Sequence, residues 1–438
     1  MSKKAKTNTK KSPVPGFVSV QSAAGVHEYV LKNNGLRVLF HARKGTGVIT
    51  TNITYLVGAA DESVGKSGIA HMLEHMLFKP TTFDVANKIT AGGAMQFERE
   101  TGCLLNANTW KDRTTYYFSY PAEYVERALE IEAQRMTGVI LNDKELTPEQ
   151  GNVLSEFDMY NGDPYFALSV QIVSAAFHSH PYGHETIGYR EDIEDYTPAR
   201  LEQFYRDYYR PDNAVMMVIG DIDIKSALQK VKMAFGAIKK PETVIPRHNI
   251  REPKQEGVRR VTINRPSSTN IVSLGFKHAG FGSLDWITTM ILIKALTGGP
   301  ESILQKKLVD TGLVASIDTG QEPTKDENVA ILHFTLAPNQ QHQAIEEKIF
   351  TILSGLTEKD VAQLIKKAKA NLLTDELFAR SNSLQIAQEL TEYVASGDWT
   401  TYAKTPELLQ TVTPKMVIKM LSESFALENM TIGYFIGT

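Results

Sequence analysis

Two histidines bracket a glutamate in the stretch His71-Met72-Leu73-Glu74-His75. Residues four apart share one face of a helix, so both imidazoles can be directed to a common point with Glu74 beside them. Two neutral imidazoles are the start of a zinc site, leaving positions for an anionic ligand and for a water whose pKa the metal lowers towards neutrality. Glu74 is then placed to take that water's proton. A second pair of acids, Glu149 and Glu156, stands two helical turns apart and therefore on one face. Glu156 can supply the third ligand, although the same spacing alone also describes a solvated helix face.

Such groups need elements to hold them. The helix carrying the histidines is predicted over 68–78, between Gly65 and Ser67 before it and Pro80 after it. Strands rich in Thr, Ile, Val and Tyr are predicted over 37–42 and 48–57, with further strands over 104–108 and 114–120. Apolar residues at three- and four-residue spacing predict a helix over 122–136. At 438 residues the chain exceeds what one core usually supports, so more than one domain is expected. The segment 236–257, with three prolines, many charges and no apolar periodicity, is the linker. It separates an N-terminal metal-binding part, 16–235, from a C-terminal part without metal, 258–438. The parts look related: the strand at 213–220 recurs at 429–437, and the strand pair at 37–55 recurs at 260–275.

Composition removes other classes. Forty-seven basic residues against fifty acidic ones leave a net charge of -3, which gives no general electrostatic reason to bind nucleic acid or an anionic membrane. Cys103 is the sole cysteine, so neither an intramolecular disulfide nor a cysteine-built zinc site exists. That composition is compatible with a reducing compartment, and the cytoplasm is the default expectation. Residues 1–15 hold five lysines and no apolar run, unlike a secretory signal, and read as a disordered basic tail. No segment reaches the roughly 20 apolar residues that span a bilayer.

The sequence resembles the pitrilysin, insulinase and mitochondrial processing peptidase family, whose inverted His-x-x-Glu-His zinc motif is followed some eighty residues later by a ligand glutamate. The resemblance runs through Gly68-Ile-Ala-His71-Met-Leu-Glu74-His75-Met-Leu-Phe-Lys79, Asn106-Ala-Asn-Thr109 and Asp112-Arg-Thr-Thr-Tyr116-Tyr117-Phe118. It continues through Glu149 and Glu156 to His180-Pro-Tyr-Gly183 and Tyr209-Arg-Pro-Asp-Asn213. It implies an α+β fold of two related α/β-roll domains, each a mostly antiparallel sheet packed with helices. It implies one zinc per chain on His71, His75 and Glu156, with Glu74 as general base and Glu149 supporting the site by orienting a ligand. It also implies that Asn106, Ala107, Asn108 and Thr109 lie on an edge strand to which a peptide substrate adds as a further strand, with Asn106 and Ala107 facing the peptide. The activity implied is that of a zinc metalloendopeptidase acting on peptides or unfolded segments.

The second half departs from the family. Where complete members have a segment like Leu-Arg-x-x-x-Gly-Leu-x-Tyr, whose arginine and tyrosine contact the peptide, this chain has Leu308-Val309-Asp310-Thr311-Gly312-Leu313-Val314-Ala315. The expectation is a zinc-bearing subunit of a heterodimer whose related partner lacks the zinc motif and supplies that pair, or otherwise a homodimer. A non-catalytic assembly subunit is the alternative, opposed by the intact ligands; a hydrolase of another amide or a thioether is a third. His178, His180 and His184 fall across Pro181 and Gly183 and read as loop residues rather than a second metal site. Met72, Met76, Leu77, Tyr208 and Tyr209 read as packing residues.

Overall fold

The β-rich runs of the sequence assemble into two sheets in a computed structural model that describes residues 12–438. The first eleven residues of the tail expected at 1–15 lie outside the described residues. Its last residues join the packed body: Val14 is buried, and Lys232 Nζ donates to the Pro15 carbonyl at 2.9 Å.

The first sheet contains β1 (Phe17–Ala23), β2 (Val26–Leu31), β3 (Arg37–Ala42), β4 (Val48–Tyr55), β5 (Leu104–Thr109), β6 (Thr114–Pro121) and β7 (Ala214–Gly220). Their order is β1-β2-β3-β7-β4-β6-β5; β3 and β7 are parallel and every other pair is antiparallel. Every residue of β7 is buried, as expected of a strand covered on both faces. On β4, Thr50 and Asn52 hydrogen-bond Ser383 and Thr391 of the helix Ser383–Ser396, while the alternate residues Ile49 and Ile53 supply apolar core.

The second sheet contains β8 (Arg259–Arg265), β9 (Ile271–His278), β10 (Val314–Gly320), β11 (Asn328–Leu336) and β12 (Met430–Gly437), in the order β10-β11-β9-β12-β8. Only β8 and β12 run parallel. Replacing β8, β12, β9, β11 and β10 by β3, β7, β4, β6 and β5 reproduces five neighbouring strands of the first sheet in order and direction. The duplication expected from the recurring strands is thus a duplication of topology. The fold is α+β, with mostly antiparallel sheets and helices in both units.

Packing redraws the division expected at 236–257. The first compact unit comprises Met1–Ser155, Thr186–His248 and Ala379–Ala403, and the second comprises Glu156–Glu185, Asn249–Phe378 and Lys404–Thr438. Each half of the chain therefore lends a helical segment to the other half's sheet. The helix Pro164–Ala176 lies against β8, β9 and β12, where a Cβ on Gly433 would stand 2.8 Å from Ile172 and 2.9 Å from Leu168. Glycine there lets the helix approach the strand. Residues 237–257 hold no regular element, consistent with the linker composition. Among the described residues no helix is long and apolar enough to cross a membrane.

Candidate metal centre

The helix predicted over 68–78 forms as Ile69–Met76. Ile69, Ala70, Met72, Leu73 and Met76 are buried and anchor it, which leaves His71 and His75 on the partly exposed side. Its N-terminal amides are held by a carboxylate: Glu62 accepts from Gly68 N at 2.8 Å and from Ala70 N at 2.9 Å. A negative charge is favoured at that end of a helix. Gly68 has φ +83, and a Cβ there would sit 2.3 Å from the Ile187 carbonyl oxygen, so the helix starts against the 187–188 backbone in a way only glycine permits.

The long helix Asp143–Gly162 brings the acids. Glu156 is one residue beyond Ser155, where the first unit's opening stretch ends, yet it rides on the same unbroken helix as Glu149. One ligand atom from each of His71, His75 and Glu156 lies within 4.8 Å of the others, and no other group of three such residues is found among the described residues. The His71 and His75 rings stand edge to face, 4.7 Å between centroids. Burial first, and the neighbouring His75 second, push the His71 imidazole down to about 3. It is therefore neutral at ordinary pH, the form that ligates a metal. Two imidazole nitrogens and a carboxylate oxygen, separated by little more than twice the roughly 2.1 Å metal-ligand distance, fit a zinc ion.

Glu149 stands behind this group. Its Oε2 lies 3.2 Å from His75 Nδ1, and because a carboxylate only accepts, Nδ1 carries the hydrogen and donates it, which leaves Nε2 with the free lone pair. Lys79 and Asn152 also donate to Glu149, Asn152 at 3.1 Å. Burial alone would raise the Glu149 carboxyl, but the hydrogen bonds from Lys79, Asn152 and His75 outweigh it and hold the group below the usual carboxylate value. Glu149 is therefore an anion at neutral pH.

Glu74 is buried, and its Oε2 accepts from Thr109 Oγ1 at 2.6 Å. Behind it, Tyr116 and Tyr209 join hydroxyls at 3.0 Å, and Arg135 lies over the Tyr116 and Phe118 rings while pairing with Glu132 at 2.5 Å. Met72, Met76, Leu77, Tyr208 and Tyr209 are all buried, as packing residues should be.

The strand β5 ends the first sheet and pairs only with β6. Asn106 is exposed, and its Oδ1 accepts from the Ala107 amide at 2.8 Å. The Asn108 side chain takes a hydrogen bond from Arg113, whose guanidinium also grips both oxygens of Glu392. Thr109, the last residue of the expected peptide-binding run, gives its hydroxyl to Glu74. In the second unit, Val309 ends the short π-helical segment Gln305–Val309 half-buried against the core, and Ala315 is exposed near the start of β10. The backbone amides of His178, Ser179 and His180 all donate to Glu252, so this histidine-bearing loop wraps a carboxylate.

Sequence reasoning did not single out Lys79, Asn152, Glu62 or Glu392. Asn152 left a faint signal, since it follows Glu149 by three residues on one helix, which makes the two neighbours on a helical face, whereas Lys79 lies past the end of the helix Ile69–Met76. Glu62 left none because its partners are backbone amides, and Glu392 left none because Arg113 is brought to it by the fold.

Comparison with known proteins points the same way. Residues 37–190 match the family described as insulinase, peptidase family M16, and residues 195–372 match the peptidase M16 inactive domain. The zinc protease PqqE of Helicobacter pylori is 31% identical over 385 residues, covering 86% of this chain and 85% of that protein. The uncharacterized zinc protease YmxG of Bacillus subtilis is 26% identical over 346 residues, 78% of this chain and 82% of its own. Among solved structures, a protease from Helicobacter pylori has a TM-score of 0.87 at 27% identity, covering 95% of this chain and all of that one. A putative M16-like peptidase from Alicyclobacillus acidocaldarius, at 21% identity and a TM-score of 0.79 over 94% and 98% of the two chains, shares the fold.

Proposed function

This chain belongs to the insulinase family of peptidases, family M16, and we propose that within it the protein is a zinc metalloendopeptidase that hydrolyses peptides or unfolded polypeptide segments. The observation that carries the reading is the convergence of His71, His75 and Glu156 beside a buried, hydrogen-bonded Glu74. His71, His75 and Glu156 hold one zinc. The metal supplies Lewis acidity, lowering the pKa of water and polarising a carbonyl. Glu74 takes the proton of the attacking water on its carboxylate and returns it to the departing amine. Glu149, as an anion on His75 Nδ1, keeps that ring in the tautomer and orientation that ligation requires. The edge of β5, with Asn106, Ala107 and Asn108, receives the peptide backbone as an added strand.

Val309 and Ala315 stand where the family's arginine and tyrosine would be, which supports a divided active site. In this reading the chain is the zinc-bearing subunit of a heterodimer, and a related subunit without the zinc motif supplies the missing pair.

Two measurements test the proposal. Glu74→Gln should retain zinc after dialysis and lose peptide cleavage by at least about a hundredfold; cleavage at the unaltered rate would refute the assignment. The purified chain should cleave a peptide library poorly alone and well with its related partner. Full activity of the isolated chain would overturn the partner requirement.

A further inference from the structure

We infer that Thr109 is a positioning residue for Glu74, acting through the base and not by touching the peptide. This rests on the reading of Glu74 as the general base and goes beyond it by naming what holds that carboxylate. Thr109 ends β5, where the side chains split between two faces: Leu104 and Asn106 are exposed, while Ala107 and Thr109 are each 8% exposed. The buried side meets the helix Ile69–Met76. There Thr109 Oγ1 lies 2.6 Å from Glu74 Oε2, the length of a hydrogen bond to an ionised acceptor.

The direction of the proton follows from the two acceptors within reach. Thr114 Oγ1, which gives its own hydrogen to the Val57 carbonyl at 3.0 Å, could accept from Thr109 only across 3.4 Å, whereas Glu74 Oε2 accepts at 2.6 Å, so the Thr109 hydrogen goes to Glu74. Threonine suits the place because branching at Cβ restricts χ1 and fixes where the hydroxyl points.

The backbone beneath it is held on several sides. The β5–β6 turn closes with Trp110 N donating to the Arg113 carbonyl at 2.8 Å. The Trp110 and Lys111 carbonyls accept from Ala59 N at 3.0 Å and Ala60 N at 2.8 Å. Gly58 passes so close that a Cβ there would lie 2.1 Å from the Trp110 oxygen. The hydroxyl therefore sits on a rigid support, as a group that must hold a reacting side chain to within about half an ångström requires. Without it, the buried carboxylate loses a donor and gains rotational freedom. The cost falls on the fraction of bound substrate whose base is aligned, and peptide affinity is untouched.

The test uses the zinc-loaded full chain, with its partner subunit if activity requires one, and a quenched fluorescent peptide chosen as the best substrate of the unaltered protein. Thr109→Val should lower kcat roughly 10- to 100-fold, the worth of a hydrogen bond to a charged group, with KM within about twofold. Thr109→Ser should restore most of the rate. In a Glu74→Gln background, Thr109→Val should reduce the residual rate no further, and fluorescence anisotropy should find peptide affinity unchanged. A raised KM with weaker peptide binding would make Thr109 a substrate contact and overturn the inference, as would unaltered kcat or a Thr109→Ser protein as slow as Thr109→Val. Rapid cleavage by Glu74→Gln itself would instead defeat the underlying assignment of the base, a separate outcome.

Discussion

Replacing Glu149 should weaken zinc binding without removing a ligand, by an amount that depends on what replaces it. The carboxylate lies 3.2 Å from His75 Nδ1 and carries two other donors, Lys79 and Asn152. Partners behind metal-ligating histidines typically account for 10- to 100-fold in affinity, or about 1.4–2.7 kcal/mol. The 3.2 Å separation is long for a charge-assisted bond, which puts the hydrogen-bond contribution at the low end. Glu149→Gln keeps an amide oxygen that can accept from His75, but it removes the negative charge that raises imidazole basicity. About tenfold is expected. Glu149→Leu removes acceptor and charge, leaves His75 without that orientation and strands the Lys79 ammonium beside an apolar side chain. About a hundredfold is expected. The assay is competition for zinc against a chromophoric chelator at neutral pH, where Glu149 is ionised, with circular dichroism to establish that the helix persists. Affinities of both variants within twofold of the unaltered protein would show that Glu149 does not orient His75. Equal losses in both would show that charge alone matters and the hydrogen bond does not.

Other perturbations have defined outcomes. Gly68→Ala forces a Cβ into the Ile187 carbonyl at positive φ; a loss of at least about 2 kcal/mol in urea denaturation is expected, together with lower zinc content. Glu392→Gln breaks the pair with the nearly buried Arg113, which also holds Asn108 of β5; about 3 kcal/mol of stability should be lost, and a stability within about 0.5 kcal/mol of the unaltered protein would contradict the pairing. Burial raises the Glu252 carboxyl, but hydrogen bonds from the amides of 178–180 and the charge of Lys277 outweigh it and lower its pKa overall. A depressed folded-state value means a stabilising contribution present above the unfolded pKa of about 4.3 and lost as pH falls through the folded one. Denaturation from about pH 6 to about pH 3 should show that loss in the unaltered protein and a flatter profile in Glu252→Gln.

The convergence of His71, His75 and Glu156 was legible because helical geometry converts sequence spacing into shared direction. His71 and His75 needed only the helix, and Glu149 and Glu156 needed only theirs. The fold was legible through its repeated strands, whose apolar runs at 214–219 and 271–276 mark the buried centre of each sheet. Thr109 was not legible as a partner of Glu74. The run Asn106 to Thr109 has a single small apolar residue, Ala107, too little alternation to reveal which side of β5 turns inward. The exchange of helices between the two halves of the chain was hidden for a similar reason. The apolar residues of Pro164–Ala176 say that it packs, and nothing in them says which sheet receives it. The answer lies in the receiving strand, where Gly433 clears room for Leu168 and Ile172 across more than two hundred residues of chain.

The duplicated topology also explains why the histidine pair has no counterpart in the second sheet's unit. In the first, the connection from β4 to β5 begins with the helix that bears both histidines; in the second, the corresponding connection from β9 to β10 begins with the helix Leu284–Thr297. That helix contains no histidine, and its only charged residues are Asp285 and Lys294. Trp286, Ile287, Ile291, Leu292 and Leu296 are buried along it. Apolar residues all round a helix commit it to the core, so the position that presents ligands in one unit is consumed by packing in the other. The shared frame provides a strand, a helix and a following edge strand in both cases. Function depends on whether the helix keeps a partly exposed face on which polar groups can converge, and on a later helix that meets that face. Restoring a histidine pair to Leu284–Thr297 would therefore bury two imidazoles among aliphatic side chains and destabilise the unit.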